Sequence, residues 1–294
     1  MATLMTGAPS LIDLPRLSLR GETLRVLEPP TADRGALLDA ILDGSYRKPF
    51  LGDDLEGRTL YSSLDCVQSR MRFDDPWALD LLYTRKAMSF LLFLDAPRDV
   101  LMLGLGGGSM VKYFHRHLPA TRMDCVEIDP HVIALSEYFS VPPPSEHFNL
   151  IQHDAWGHVA STTETYDVVI ADAYDWDGTG PSMQGAAFYA QVRLKLREGG
   201  ILVANLAGSL AERVSHLEGM TRAFSGNVML VPVEGEGNEI ALGFNEGANR
   251  PHWKAIHKRV PALEQRFDLD FQRFAGRLER SEKLGYVRRA LART

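Results

Sequence analysis

Between residues 99 and 244, short apolar runs alternate with amphipathic stretches in nearly regular order. The runs at 99–103 (DVLML), 123–128 (MDCVEI), 148–152 (FNLIQ), 166–171 (YDVVIA) and 200–205 (GILVAN) read as strands. The stretches from 109 towards 117, and at 130–138, 186–196 and 210–224, read as helices. Strands that are apolar almost throughout are buried on both faces, which predicts a parallel sheet with helices on either side. Upstream the pattern is shorter and less regular. Residues 24–28 (LRVLE) predict a strand, 34–42 (RGALLDAIL) a short helix, and 59–73 (TLYSSLDCVQSRMRF) two strands about a tight turn. Trp77, Leu81, Leu82, Ala87, Phe90 and Leu91 recur at helical spacing. They predict an amphipathic helix over 76–94, with Pro76 in its first turn and Pro97 beyond its end. The opening residues read as a ragged leader, without the basic and apolar regions of a secretion signal.

Two further apolar runs, 228–233 (VMLVPV) and 239–244 (EIALGF), are separated only by EGEGN. A loop that short cannot join parallel neighbours, so this pair must be antiparallel. A parallel, doubly wound α/β sheet ending in an antiparallel hairpin resembles the seven-stranded, Rossmann-like class I methyltransferase fold. The chain then divides into a small N-terminal β-hairpin domain (1–75), a catalytic domain of that fold (76–248) and a helical tail (249–294). The tail carries twelve lysines and arginines against five acidic residues. Read as packing helix it buries Phe267, Leu269, Phe271, Phe274 and Leu278 and leaves the basic residues on a solvated face; an RNA-facing tail is the alternative.

Composition narrows the classes. The 294 residues carry 32 lysines and arginines against 38 aspartates and glutamates, net −6, so no basic field favours nucleic acid as the main partner. The longest apolar run, 87–94 (AMSFLLFL), falls far short of a membrane span and reads as buried helix. Two cysteines, Cys66 and Cys125, are too few for a disulfide framework; they predict two partly buried thiols in a reducing cytosol. A cytoplasmic protein without a membrane anchor is the expectation.

The candidate chemistry sits where strands end. After the first strand of the alternating region, GLGGGS (Gly104, Gly106, Gly107 and Gly108) lets the backbone approach a ligand and opens a helix. Tight strand-to-helix turns need glycine in any case. Glu127 closes the second strand and can accept from both hydroxyls of a ribose; alternatively it caps the helix beginning at Pro130. Asp154 follows the third strand and can take an adenine amine, with Ala155 and Trp156 supplying a backbone amide and apolar cover. Asp172 follows the fourth strand, with Asp175 three residues on. Carboxylates on one carboxyl edge of an open α/β sheet predict an adenosine-type ligand in the crevice there. The nine scattered histidines suggest no metal site, and no nucleophile elbow is present.

These motifs resemble the spermidine synthases, the polyamine aminopropyltransferases, over about residues 60–208. LDCVQSRMRFDDPWALDLLYTRKAM is similar to that family's LDG-x-VQ hairpin and YHEM helix. VEIDPHVI resembles its ribose-binding strand, IADAYDWDGTGP its D-x-x-D-P loop, and AAFYAQVRLKLREGGILVAN its F-Y-x-x-L-x-x-L-x-x-G-G-I run. The resemblance implies that Glu127 binds ribose, that Asp154 and Ala155 bind adenine, and that Gln68 and Tyr83 line the donor and acceptor pocket. It implies Asp172 as the proton acceptor and Asp175 as the anchor of the acceptor's cation. No metal is implied; the donor would be S-adenosylmethionine or its decarboxylated form, the acceptor a small amine, and a homodimer is possible. Tyr174 and Trp176 would cover the pocket, or simply pack.

Two positions depart from the pattern. The family's G-G-G-D-G-G has Gly107 in place of its aspartate, and YHEM reads Tyr83-Thr84-Arg85-Lys86. Arg85 could hold the carboxylate of intact S-adenosylmethionine, or point to solvent. Three readings follow: an aminopropyltransferase, a methyltransferase on the same frame, or a non-catalytic adenosine-binding protein.

Overall fold

A computed structural model of the chain describes residues 8–15, 21–175, 178–179, 185–232, 238–247 and 252–292. Two compact units are distinguished.

The first unit takes the chain up to Asp80 together with Gly106–Lys112 and Asp129–Pro142. Five antiparallel strands run in chain order across its sheet: β1 (Ser10–Asp13), β2 (Thr23–Glu28), β3 (Phe50–Asp53), β4 (Gly57–Ser63) and β5 (Cys66–Arg72). Helix α1 (Arg34–Leu42) lies between β2 and β3, and the Asp33 carboxylate caps it by accepting from the Gly35 and Ala36 amides at 2.9 and 3.1 Å. Alternation sorts the apolar side chains onto two faces. Leu24, Val26, Phe50 and Tyr61 pack with Ile41 of α1, while Leu51, Leu60 and Met71 pack with Leu135 and Phe139 of the 129–142 segment. Strands β1 and β3 were not expected. At four residues each, SLID and FLGD are too short to show a period of two.

The predicted helix over 76–94 is cut short. Helix α2 spans only Leu82–Ala87, followed by a 3-10 turn at Met88–Leu92. Asp75 takes the Trp77 amide on its side chain at 3.2 Å and the Ala78 amide on its carbonyl at 3.2 Å.

The second unit holds β6 (Asp99–Leu103), β7 (Arg122–Glu127), β8 (Phe148–Gln152), β9 (Tyr166–Ala171), β12 (Leu196–Leu206), β13 (Val228–Pro232) and β14 (Glu239–Phe244) in one sheet. Their order is β13-β14-β12-β9-β6-β7-β8. The five strands from β6 to β12 in this sheet are parallel, β14 runs antiparallel to β12, and β13 antiparallel to β14, as the short EGEGN connection requires. A two-residue pair, β10 (Tyr174–Asp175) and β11 (Gly178–Thr179), stands apart from it. Helix α3 (Ser109–His117) follows β6, and α4 (Pro130–Leu135) follows β7 as part of the first unit. Helices α5 (Ala155–Ser161), α6 (Ala186–Lys195) and α7 (Leu210–Ala223) complete the alternation.

Leu101, Leu103, Val126, Val169, Leu202, Phe188, Val192, Leu217 and Met220 form a continuous core between the sheet and these helices. The tail forms α8 (Trp253–Phe267), α9 (Phe271–Leu284) and α10 (Tyr286–Leu291), with Phe267, Leu269, Phe271, Phe274 and Leu278 all buried. The thiols differ from expectation: Cys125 is wholly buried in β7, but Cys66 is exposed at the tight turn between β4 and β5. No helix among the described residues is long and apolar enough to cross a membrane.

Candidate active site

The parallel ladder of the second unit continues one residue past its strand ends. Asp172 donates its backbone N–H to the Leu103 carbonyl at 2.9 Å, Gly104 to Val126 at 2.8 Å, and His153 to Glu127 at 3.1 Å. Gly104, Glu127, Asp154 and Asp172 are therefore brought out along one edge by backbone bonds, on β6, β7, β8 and β9. Chain connections diverge on either side of β6, to β7 on one flank and β9 on the other, which makes this edge a topological switch point.

Glu127 does not cap the next helix. The cap is Asp129, whose carboxylate accepts from the His131 amide at 2.8 Å. Glu127, only 9% exposed, instead accepts the Leu105 amide of the glycine turn on Oε2 at 2.9 Å. Ile128 beside it is a large apolar side chain 61% exposed, a candidate ligand contact that its place in an apolar run concealed. Asp154 does serve as a cap. Its Oδ2 accepts from Gly157 at 2.7 Å and holds the start of α5, with Ala155 buried as the first helical residue. His153 turns its Nδ1 to the Asp154 carbonyl at 2.8 Å.

Asp172 directly follows β9. Burial pushes its carboxyl up to about 7, against hydrogen bonds from Asn205 and the Tyr83 phenol that pull it down. Asn205, at the end of β12, donates Nδ2 to Asp172 Oδ1 at 2.8 Å. The residue as a whole keeps some surface, while its carboxyl is crowded by protein. Sequence reasoning missed Asn205, since a neutral amide at a strand end carries no motif.

Gly104 is required by close approach. It adopts φ +96°, and a Cβ there would stand 2.2 Å from the Asp172 carbonyl oxygen and 2.8 Å from its carbon. Backbone cannot yield as a side chain can. Gly104→Ala is therefore expected to cost about 3 kcal/mol or more and to lower the melting temperature by roughly 6–12 °C. A calorimetric melt checks this; a midpoint within a degree or so of the parent would show that the turn accommodates the methyl group.

The remaining glycines belong to the first unit, with Ser69 of β5. A Cβ on Gly107 would lie 2.7 Å from Ser69 Oγ and 2.9 Å from Phe139 Cδ1. A Cβ on Gly108 would lie 2.3 Å from Val141 Cγ2. Position 107 thus has no room for the family's aspartate as the backbone stands. Ser69, 4% exposed, shares a 3.2 Å hydrogen bond with Ser109 Oγ at the start of α3. The side chain that β5 lays against this turn is that of Ser69, while Gln68, half-buried beside it, brings its carbonyl oxygen to 3.8 Å from a Cβ built on Gly106. Lys112, fully buried one turn into α3, donates to the Phe139 carbonyl at 2.7 Å, and burial pushes its ammonium down to about 8.

Tyr83 is half-buried in α2, and Arg85 two residues on is near enough to Tyr113 of α3 for its charge to act on that phenol. Asp175 belongs by its backbone to β10; its side chain and that of Tyr174, like Trp176, lie outside the described residues.

A seven-stranded sheet of this order, with acidic residues along its switch-point edge, has the class I methyltransferase-like fold. A family model described as the spermine/spermidine synthase domain matches residues 81–229. The polyamine aminopropyltransferase of Chromobacterium violaceum is 30% identical over 227 residues, covering 77% of this chain and 87% of the relative. That of Neisseria meningitidis is 32% identical over 237 residues, covering 79% and 90%. A probable spermidine synthase from Corynebacterium glutamicum superposes with a TM-score of 0.60 at 23% identity, over 72% of this chain and 84% of that one. The chain belongs to the spermine/spermidine synthase family and is a transferase.

Proposed function

We propose that this protein transfers the 3-aminopropyl group of decarboxylated S-adenosylmethionine to a primary amine of a polyamine. The acceptor amine attacks the carbon next to the sulfonium in line. The N–C bond forms as the C–S bond breaks, sulfur keeps the bonding electrons in 5′-methylthioadenosine, and the nitrogen's excess proton passes to a base. The observation that carries this reading is Asp172: a carboxylate at the switch point, raised by burial to about 7. A base of that strength is about half ionised at neutral pH and can still take a proton. The sulfonium is already activated, so the protein's work is to hold the two reactants in line and to receive the proton.

The other residues take roles consistent with their places. Glu127, oriented by the Leu105 amide, receives the ribose hydroxyls. Asp154 and Ala155, held by the α5 cap, meet the adenine edge, and Ile128 covers its face. Gly104, Gly106, Gly107 and Gly108 allow the backbone to approach the donor. Tyr83 orients Asp172, while Gln68 and Asp175 serve the donor and acceptor chains.

Gly107 makes donor choice the point to test. Calorimetric titration with decarboxylated and intact S-adenosylmethionine is expected to show preference for the decarboxylated form, with 5′-methylthioadenosine released when a diamine is added. Preference for the intact donor, lost in Arg85→Ala, would overturn the aminopropyl assignment in favour of a methyltransferase. Failure of either donor and of 5′-methylthioadenosine to bind would overturn both.

A further inference from the structure

The helical tail places its charges by sign. Helices α8 and α9 pack side by side, and each buries one stripe: Ile256, Val260 and Leu263 from α8, and Phe271, Phe274 and Leu278 from α9. The acids lie in the seam between the helices or at their ends. Glu279 accepts from His257 at 2.8 Å and from Lys283 at 2.6 Å, and Glu282 accepts from the Trp253 indole. Glu264 takes the Gln272 amide at 2.9 Å. Asp268 holds the left-handed turn that ends α8, and Asp270 caps α9.

The outward faces carry the opposite sign. Lys254 and Lys258 are exposed one turn apart on α8, about 6 Å along its axis. Both lie on the side away from its buried stripe, and Arg280 occupies the matching side of α9. The His257–Glu279 and Trp253–Glu282 bonds bring these stretches level, so the three cations share one surface. Every exposed charged side chain of α8 is basic, and α9 exposes a single acid, Glu282. Arg288 and Arg289 extend the exposed positive charge onto α10. Lys254, Lys258, Arg280, Arg288 and Arg289 make no ion pair among the described residues.

What such a surface fits follows from what it lacks. A protein partner is held by a patch with an apolar or aromatic centre, and single-stranded nucleic acid by rings on which its bases stack. The other outward positions of α8 and α9, Pro261, Gln265 and Gly276 among them, are small or polar. A row of cations without apolar cover suits an array of phosphates, which needs neither feature. We propose that the outward face of the tail, centred on Lys254, Lys258 and Arg280, is a docking surface for the phosphate backbone of a double-stranded nucleic acid. Contacts of this kind position the protein without reading sequence. Each releases counterions, so the complex is weakened by salt. The surface uses no residue of the candidate active site and does not rest on the aminopropyl assignment.

The test is fluorescence polarisation of a labelled duplex of about 20 base pairs, made once as RNA and once as DNA, against the full-length protein from about 50 to 200 mM salt. Five neutralised phosphates give log K against log salt a slope of about −4.5, so affinity should fall by roughly two to three orders of magnitude over that range. Lys254→Gln/Lys258→Gln/Arg280→Gln should bring the slope to about −2, with the melting temperature and aminopropyl transfer unchanged. Arg34→Gln/Arg47→Gln/Arg98→Gln removes the same charge from exposed positions outside the tail and should keep the parent slope. Tighter binding of the RNA duplex makes the partner RNA, equal binding makes it either double helix, and both results support the surface. The proposal is overturned if neither duplex binds at the lowest salt, or if the control variant loses as much as the tail variant. Polyglutamate binding as tightly as the duplexes would also overturn it, giving the face to an acidic protein instead.

Discussion

Asp172→Asn is expected to lower turnover by about two to four orders of magnitude while donor binding stays close to that of the parent. Asparagine matches the carboxylate in shape and still offers an oxygen to the Asn205 amide and the Tyr83 phenol, which now donate to the carboxylate. It cannot take the proton released as the new N–C bond forms. The loss should therefore fall on kcat rather than on the donor's Kd. In the parent, activity should rise as pH passes through about 7, because the base is active only when ionised.

The same group bears on stability, with a definite sign. Its folded value, about 7, lies above the unsubstituted 3.8, so the folded state binds the proton more tightly than the unfolded chain. Its stabilising contribution is present in full below about 4 and is lost as pH rises towards about 7. At pH 8 the Asn variant should then be the more stable protein, by at most about 4 kcal/mol. Steady-state kinetics and paired melts at pH 5 and pH 8 check both halves of the prediction. Undiminished turnover would remove Asp172 from the mechanism.

Glu127→Gln should fail in the opposite way. It is expected to weaken the binding of donor and of 5′-methylthioadenosine by about a hundredfold, near 3 kcal/mol, the worth of one or two charge-assisted hydrogen bonds. Glu127 already accepts the Leu105 amide at 2.9 Å, which orients the carboxylate and holds the glycine turn beside it. Glutamine must keep its oxygen on that amide, so its NH2 faces the ligand where acceptors for the ribose hydroxyls are needed. The pH limb set by Asp172 should not move, since strand β6 lies between their attachment points on β7 and β9 and Glu127 does not contribute to the Asp172 shift. Calorimetry with 5′-methylthioadenosine isolates this effect from chemistry. Parent-like affinity would show that Glu127 serves the turn alone.

Much of the large sheet was legible because its signals are local. Apolar runs such as DVLML and YDVVIA need no partner to declare burial on both faces, and the EGEGN connection is too short for anything but an antiparallel pair. The strand-end carboxylates were legible for the same reason: Glu127, Asp154 and Asp172 each follow an apolar run directly. Elements that compete with a neighbour were not. The helix expected over 76–94 begins only at Leu82 and gives way to a 3-10 turn at Met88. Which acid caps a helix was equally ambiguous. Glu127, Asp129 and Asp154 all sit at capping distance from a helix start, and only the observed bonds give the caps to Asp129 and Asp154.

By itself the sequence determined the alternation of strands and helices in the large sheet, its antiparallel end, and three acids at its carboxyl edge, because each follows from side-chain period or loop length within a few residues. Only the tertiary structure decided that Glu127 turns to the glycine loop, that Ser69 and Phe139 leave Gly107 no room for a side chain, and that Asn205 stands behind Asp172. Residues 107 and 139, or 172 and 205, are far apart in the chain. Their contacts depend on strand register and on turns that close at a distance, and no local pattern of side chains records them.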